Sequence, residues 1–154
     1  VPKTIISTLE KAIALAATQH AGQLDKGGQP YILHPLRLML QFSNPTLQII
    51  AVLHDILEDT STTAEDLEEL GFSAEIIQAI QALTKQTGES RLEAAKRTAL
   101  NPLATQVKYV DVLDNMNLSR INNPTARDFA RLEEYKEVLE ILKQAKTLLN
   151  PLNN

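Results

Sequence analysis

Apolar residues recur at helical spacing along nearly the whole chain, and no segment alternates convincingly as a strand would. Ile5, Ile6, Leu9, Ile13, Leu15 and Ala16 mark a first helix closed by His20. Gly27-Gly28 and Pro30 make Ala21 to Leu33 a loop. Pro35 suits a first helical position, so His34 is expected at the N-cap of a short apolar helix running to Leu40. Asn44-Pro45 opens a central helix, and its apolar run, Leu47 to Leu53, leads straight into His54-Asp55-Ile56-Leu57-Glu58-Asp59 as that helix's second half. Ser61 to Asp66 is a capped start, with a short helix from Leu67 to Leu70 stopped by Gly71. Ser73 to Thr84 carries a stripe of Ile76, Ile77, Ile80 and Leu83, and Ser90 to Leu100 is a polar helix. Asn101-Pro102 begins a helix to about Leu118, with Val107, Val110, Leu113 and Met116 as its expected buried stripe. After a break at Asn122-Asn123-Pro124, a long helix runs from Thr125 to about Leu149, with Phe129, Leu132, Tyr135, Val138, Leu142 and Leu149 near helical spacing. Pro151 to Asn154 is expected to fray. The pattern predicts an all-α chain of about eight helices, one domain over residues 1–154.

Composition narrows the function. A net charge of −4 gives no broad basic surface, so no nucleic-acid partner is expected. No apolar run approaches the roughly 18 residues of a membrane span, and Val1-Pro2-Lys3-Thr4 does not resemble a signal peptide; a cytoplasmic protein is expected. With no cysteine, disulfides, thiolate metal sites and cysteine nucleophiles are excluded. Asn117-Leu118-Ser119 matches a glycosylation sequon by chance.

Two clusters carry candidate chemistry. In His54-Asp55-x-x-Glu58-Asp59, helical spacing brings three carboxylates and an imidazole onto neighbouring faces. A divalent cation held by His54 and Asp55 would relieve the repulsion and leave Glu58 and Asp59 beside activated water. A solvated acidic helix end explains the same residues. The second cluster is Asp111 with Asn115 one turn on, beside an apolar stripe where an aspartate needs a partner. Lys26, next to two glycines, could meet a phosphate, or simply occupy a surface turn. His20, in a last helical turn, reads as a satisfied structural histidine.

In chain order, His34-Pro35, His54-Asp55-x-x-Glu58-Asp59-Thr60 and Asp111-x-x-x-Asn115 resemble the HD-domain metal-dependent phosphohydrolases. The nearer resemblance is to the (p)ppGpp hydrolase domain of RelA/SpoT-type enzymes and to small stand-alone alarmone hydrolases. It includes His20-Ala-Gly-Gln23, Lys26, Pro30-Tyr31-Ile32-Leu33-His34-Pro35, Leu83-Thr84-Lys85 and Val107-Lys108, and spans about His20 to Tyr135. The resemblance implies that His34, His54, Asp55 and Asp111 ligate a metal. Two imidazoles and two carboxylates suit Mn²⁺ and also accept Zn²⁺, Fe²⁺ or Co²⁺. It implies Glu58 and Asp59 as the catalytic acidic pair, and Lys26, Asn115, Arg91, Arg131 and Tyr135 as substrate contacts. The implied reaction converts (p)ppGpp to GDP or GTP and pyrophosphate, with a small phosphorylated nucleotide as partner.

Two positions depart from the family pattern. Asp25 stands where an arginine usually precedes the loop lysine, and Asp114 where a histidine or aromatic residue is common. Asp25 would repel phosphate, so Asp25→Arg is expected to raise activity on ppGpp several-fold. Both positions bear on the substrate rather than on the metal. A hydrolase of another nucleotide or phosphate ester is the nearest alternative. A helical protein that only binds metal or nucleotide is the other, against which the Glu58-Asp59 pair argues. Monomer and homodimer both remain compatible with the chain.

Overall fold

The computed structural model describes residues 7–149, with side chains through Lys146. Ile5, Ile6, the Leu149 side chain and the Pro151 to Asn154 tail lie outside them. Among the described residues there are nine α-helices and one 3-10 turn, and the only β-type pairing is an isolated bridge between Leu24 and Pro30. The helices are α1 (Leu9–Gln19), α2 (Leu33–Met39), α3 (Pro45–Leu53), α4 (Ile56–Asp59), α5 (Ala64–Glu69), α6 (Ala74–Leu83), α7 (Arg91–Thr98), α8 (Pro102–Asn115) and α9 (Ala126–Leu149). The 3-10 turn, Leu118–Arg120, lies between α8 and α9. No described helix is long and apolar enough to cross a membrane.

Side-chain caps set many of the boundaries. Asn44 accepts the Leu47 amide at the start of α3, and Asn101 accepts the Ala104 amide at the start of α8, each followed by proline. Thr63 with Asp66, and Ser90 with Glu93, form reciprocal capping boxes on α5 and α7. The sequon asparagine, Asn117, accepts hydrogen bonds from the Ser119 amide and hydroxyl, and so caps the 3-10 turn.

Helix α3 is apolar nearly all round and is buried accordingly. Ile50, Ala51, Val52 and Leu53 are fully covered, and α3 packs against α1, α2, α6 and α8. Each large side chain buried there stabilises the fold by roughly 1.5–3 kcal/mol. A second, smaller core joins Ala95 of α7, Val112 of α8 and Val138, Leu139 and Leu142 of α9. Helix α8 therefore serves two cores, with Ala104 and Val107 in the first and Val112 in the second. That division corrects the expected stripe: Leu113 is 46% exposed, and Asp111 takes the inward position one turn after Val107. Phe129 is likewise 53% exposed, because the buried part of α9 begins further along, at Val138.

Two expected boundaries also change. The central helix is not continuous; it breaks at His54-Asp55, where Asp55 adopts φ −103°, ψ 4°. The His54 Nδ1–H donates to the Ala51 carbonyl at 2.7 Å, and the His54 amide approaches the same oxygen at 3.4 Å. That carbonyl would otherwise accept the Asp55 amide, so the imidazole displaces a helical hydrogen bond. The second change is at His34, which lies inside the first turn of α2 rather than at its cap; Ile32 is the cap residue. Pro35 still fits, since first-turn positions have no intrahelical use for an N–H.

Candidate active site

The break after α3, the first turn of α2 and the inward face of α8 meet at one buried point. His34, His54 and Asp111 offer ligand atoms within 4.8 Å of one another, and all three residues are buried. Asp111 Oδ1 lies 2.9 Å from His34 Nε2 and 3.5 Å from His54 Nε2. Asn115, one turn along α8, donates to the same oxygen at 3.0 Å, and Lys108 Nζ lies 3.0 Å from Asp111 Oδ2. Asp55 joins from the other side, with its Oδ2 3.0 Å from His54 Nε2, and it accepts a hydrogen bond from the Tyr31 hydroxyl.

This arrangement fits a cation. Because His54 uses Nδ1–H on the Ala51 carbonyl, its other ring nitrogen, Nε2, is the one directed at the two carboxylates. That buried nitrogen has no hydrogen-bond partner among the described residues. Burial, followed by repulsion from Asp111 and Asp59, pushes the Asp55 carboxyl well above the usual range. At Asp111 burial acts in the same direction, but Lys108 and the two histidines outweigh it and hold the carboxyl well below that range. For His34, burial disfavours the charge, yet hydrogen bonds to Asp111 and Asp114 raise it to about 9. Without a metal, a proton on His34 partly offsets the negative charge that a divalent ion would offset more fully.

The acidic residues that follow meet this group through Asp55. Asp55, Glu58 and Asp59 present carboxylate oxygens within 4.8 Å of one another. Glu58 Oε1 is held by the Lys85 amide at 2.9 Å. The Asp59 carbonyl accepts from Gln23 Nε2 at 3.0 Å, and Gln23 is braced in turn by His20 at 2.8 Å.

On the His34 side lies a cavity of about 270 Å³, between the loop after α1 and the 3-10 turn and α9. Lys26, Asn115, Arg131 and Tyr135 line it together with His34 and Tyr31. Glu58 and Asp59 are not on its wall. Nor is Arg91, which lies over the Tyr135 ring, 4.9 Å from its centroid, and pairs with Glu134 at 3.2 Å.

No family model matches the chain. The guanosine-3′,5′-bis(diphosphate) 3′-pyrophosphohydrolase of Aquifex aeolicus is 30% identical over 145 residues, covering 86% of this chain and 20% of that protein. The probable GTP pyrophosphokinase of Mycobacterium leprae is 30% identical over 154 residues, covering 92% of this chain and 19% of that protein. A solved structure of a metazoan orthologue of SpoT, described as hydrolysing ppGpp and playing a role in starvation responses, superimposes with a TM-score of 0.72 at 24% identity. That match covers 87% of this chain and 84% of the other. The chain is homologous to the (p)ppGpp hydrolase domain of SpoT/RelA proteins. It spans about a fifth of the length of these curated relatives, and its helical fold matches that of the metazoan SpoT orthologue.

Within this SpoT/RelA-type fold, the two departures from the expected pattern have structural roles. Asp25 Oδ1 accepts the amides of Gly27 and Gln29, both at 2.9 Å, and so shapes the loop that carries Lys26. Asp114 Oδ2 lies 2.6 Å from His34 Nδ1, and the carboxylate also receives Arg37 through two bonds of 3.0 Å. Arg120 Nη2 lies 3.2 Å from the same oxygen and donates to the Asp114 carbonyl at 2.7 Å. Burial opposes the charge on Asp114, but His34 and Arg37 hold its carboxyl far below the usual range. Sequence reasoning missed Arg37 and Arg120 altogether. Spacings of three residues, His34 to Arg37 and Asp111 to Asp114, were the available signal.

Proposed function

We propose that this chain is a Mn²⁺-dependent phosphohydrolase that removes the 3′-pyrophosphate of (p)ppGpp. The observation that carries the reading is the convergence of His34, His54 and Asp111 in a buried group, with Asp55 joining it to Glu58 and Asp59. His34, His54, Asp55 and Asp111 would hold the ion. When bound, it acidifies water and draws charge from a phosphoryl oxygen.

The chain's own residues do the rest. Glu58, fixed by the Lys85 amide, and Asp59, on a backbone fixed by Gln23, orient water against the phosphorus bonded to the 3′ oxygen and accept its proton. The O3′–P bond breaks, a proton passes to O3′, and GDP or GTP leaves with pyrophosphate. Lys26 neutralises charge on the pyrophosphate, Asn115 and Arg131 contact the nucleotide, and Tyr135 supplies an aromatic wall. Arg91 would reach a phosphate only by leaving Glu134; where it stands, it braces the Tyr135 ring.

A second reading, hydrolysis of another nucleotide or phosphate ester at the same centre, draws on the charge of the cavity. Arg37 and Arg120 are paired with Asp114, and Arg131 is paired with Asp128. Turnover of a panel of phosphorylated nucleotides by the Mn²⁺-loaded protein separates the two. Pyrophosphate release fastest from ppGpp supports the first reading, and faster turnover of a less charged nucleotide supports the second. No turnover of any member contradicts both.

A further inference from the structure

We propose that Asp114 is a positioning residue that fixes the tautomer and ring orientation of His34, so that Nε2 is presented to a divalent cation. The inference rests on the metal reading above and extends it to a residue outside the ligand set. His34 has two ring nitrogens in different surroundings: Nε2 faces Asp111 at 2.9 Å and the His54 ring, while Nδ1 faces Asp114 at 2.6 Å. A carboxylate on Nδ1 keeps the proton there and leaves the Nε2 lone pair for a metal. It also makes the imidazole a more basic donor.

The carboxylate is itself held in place. Arg37, one turn along α2 from His34, grips both Asp114 oxygens, and Arg120 reaches back from the 3-10 turn to the side chain and carbonyl of the same residue. Asp114 is on α8, three residues after Asp111, so one helix carries both the carboxylate beside Nε2 and the carboxylate on Nδ1. Helix α8 thereby sets the distance and angle between His34 and Asp111 from two directions. A surface ion pair would need none of this: the Asp114 side chain is 15% exposed and that of His34 is 6% exposed. The Tyr31 ring also lies beside that of His34, with centroids 5.7 Å apart, which limits its rotation further.

The test is Mn²⁺ binding by the metal-free full chain, followed through the electron paramagnetic resonance of free Mn²⁺. Wild type, Asp114→Asn and Asp114→Ala are compared after circular dichroism shows each to be folded. Asp114→Ala should bind roughly 10–100-fold more weakly than wild type. Asp114→Asn, which keeps an acceptor for Nδ1–H without the charge, should fall between them, and it decides the matter alone if the alanine variant does not fold. The second readout is ¹⁵N histidine spectra of the Zn²⁺-loaded proteins, simple to resolve because the chain has three histidines. Wild-type His34 should show a protonated Nδ1, and the variants a weakened or mixed tautomer, a change that a purely structural ion pair would not produce. Folded variants with Mn²⁺ affinity within two-fold of wild type and an unchanged His34 tautomer would overturn the role of Asp114 while leaving the metal site standing. Wild type that binds no Mn²⁺ would overturn the metal reading and this inference together.

Discussion

Replacing Asp25 by arginine should lower activity rather than raise it. From the sequence, the substitution exchanges a repelling charge for an attracting one beside the substrate, a gain of about 1 kcal/mol at most for a solvent-screened position. In the structure, however, one oxygen of Asp25 accepts two backbone amides, those of Gly27 and Gln29, at 2.9 Å each. Arginine can accept neither. Each lost bond removes about 1 kcal/mol net, so the loop loses about 2 kcal/mol of order against a gain of about 1. The balance of roughly 1 kcal/mol corresponds to a fall of about five-fold in kcat/KM, carried mainly by KM because Lys26 is on the same loop. Asp25→Asn keeps the accepting oxygen and should remain near wild type. Hydrogen exchange reads the loop independently of any substrate: the Gly27 and Gln29 amides should exchange about 30-fold faster in Asp25→Arg if both bonds are lost. A several-fold rise in kcat/KM on ppGpp, with those two amides exchanging at the wild-type rate, would refute the reasoning.

Gly27→Ala should widen the cavity wall and raise KM, because a Cβ there would lie 2.2 Å from the Arg120 carbonyl oxygen; wild-type KM and melting temperature would contradict the close approach. Glu58→Gln and Asp59→Asn should keep fold and Mn²⁺ stoichiometry while losing turnover by roughly 100-fold or more; undiminished rates in both would remove the acidic pair from the mechanism. The metal-free protein should lose stability as pH rises. His34 has a folded pKa raised from 6.5 to about 9, so its contribution is complete below 6.5 and is lost as pH climbs through 9, and the raised Asp55 acts with the same sign. Metal must displace the His34 proton, so Mn²⁺ affinity should rise by up to about ten-fold per pH unit between pH 6.5 and 8.5; a flat profile would contradict proton displacement.

Much of this was legible in the sequence because the signals are local. Asparagine caps before prolines and the capping boxes at Thr63 and Ser90 mark where helices begin. The residues of the buried group also stand out, since an aspartate within an apolar helix face needs a partner. What the sequence concealed depends on contacts distant along the chain. The break at His54 arises from an imidazole taking a carbonyl of its own helix, and periodicity alone reads straight through it. Leu113 and Val112 exchange places because α8 faces two cores, one of them formed with α9. Asp114 stood out only as a departure from the family pattern, because its partners, His34 and Arg37, are 80 and 77 residues away.

The central claim, that side chains from three separate segments hold one divalent ion, is tested most directly by metal stoichiometry. Metal-free wild type, Asp55→Ala and His54→Gln would be loaded with Mn²⁺, desalted and analysed for bound metal per folded chain. The account predicts close to one ion per wild-type chain and little in either variant. Near-stoichiometric Mn²⁺ in all three, or none in folded wild type, would contradict it.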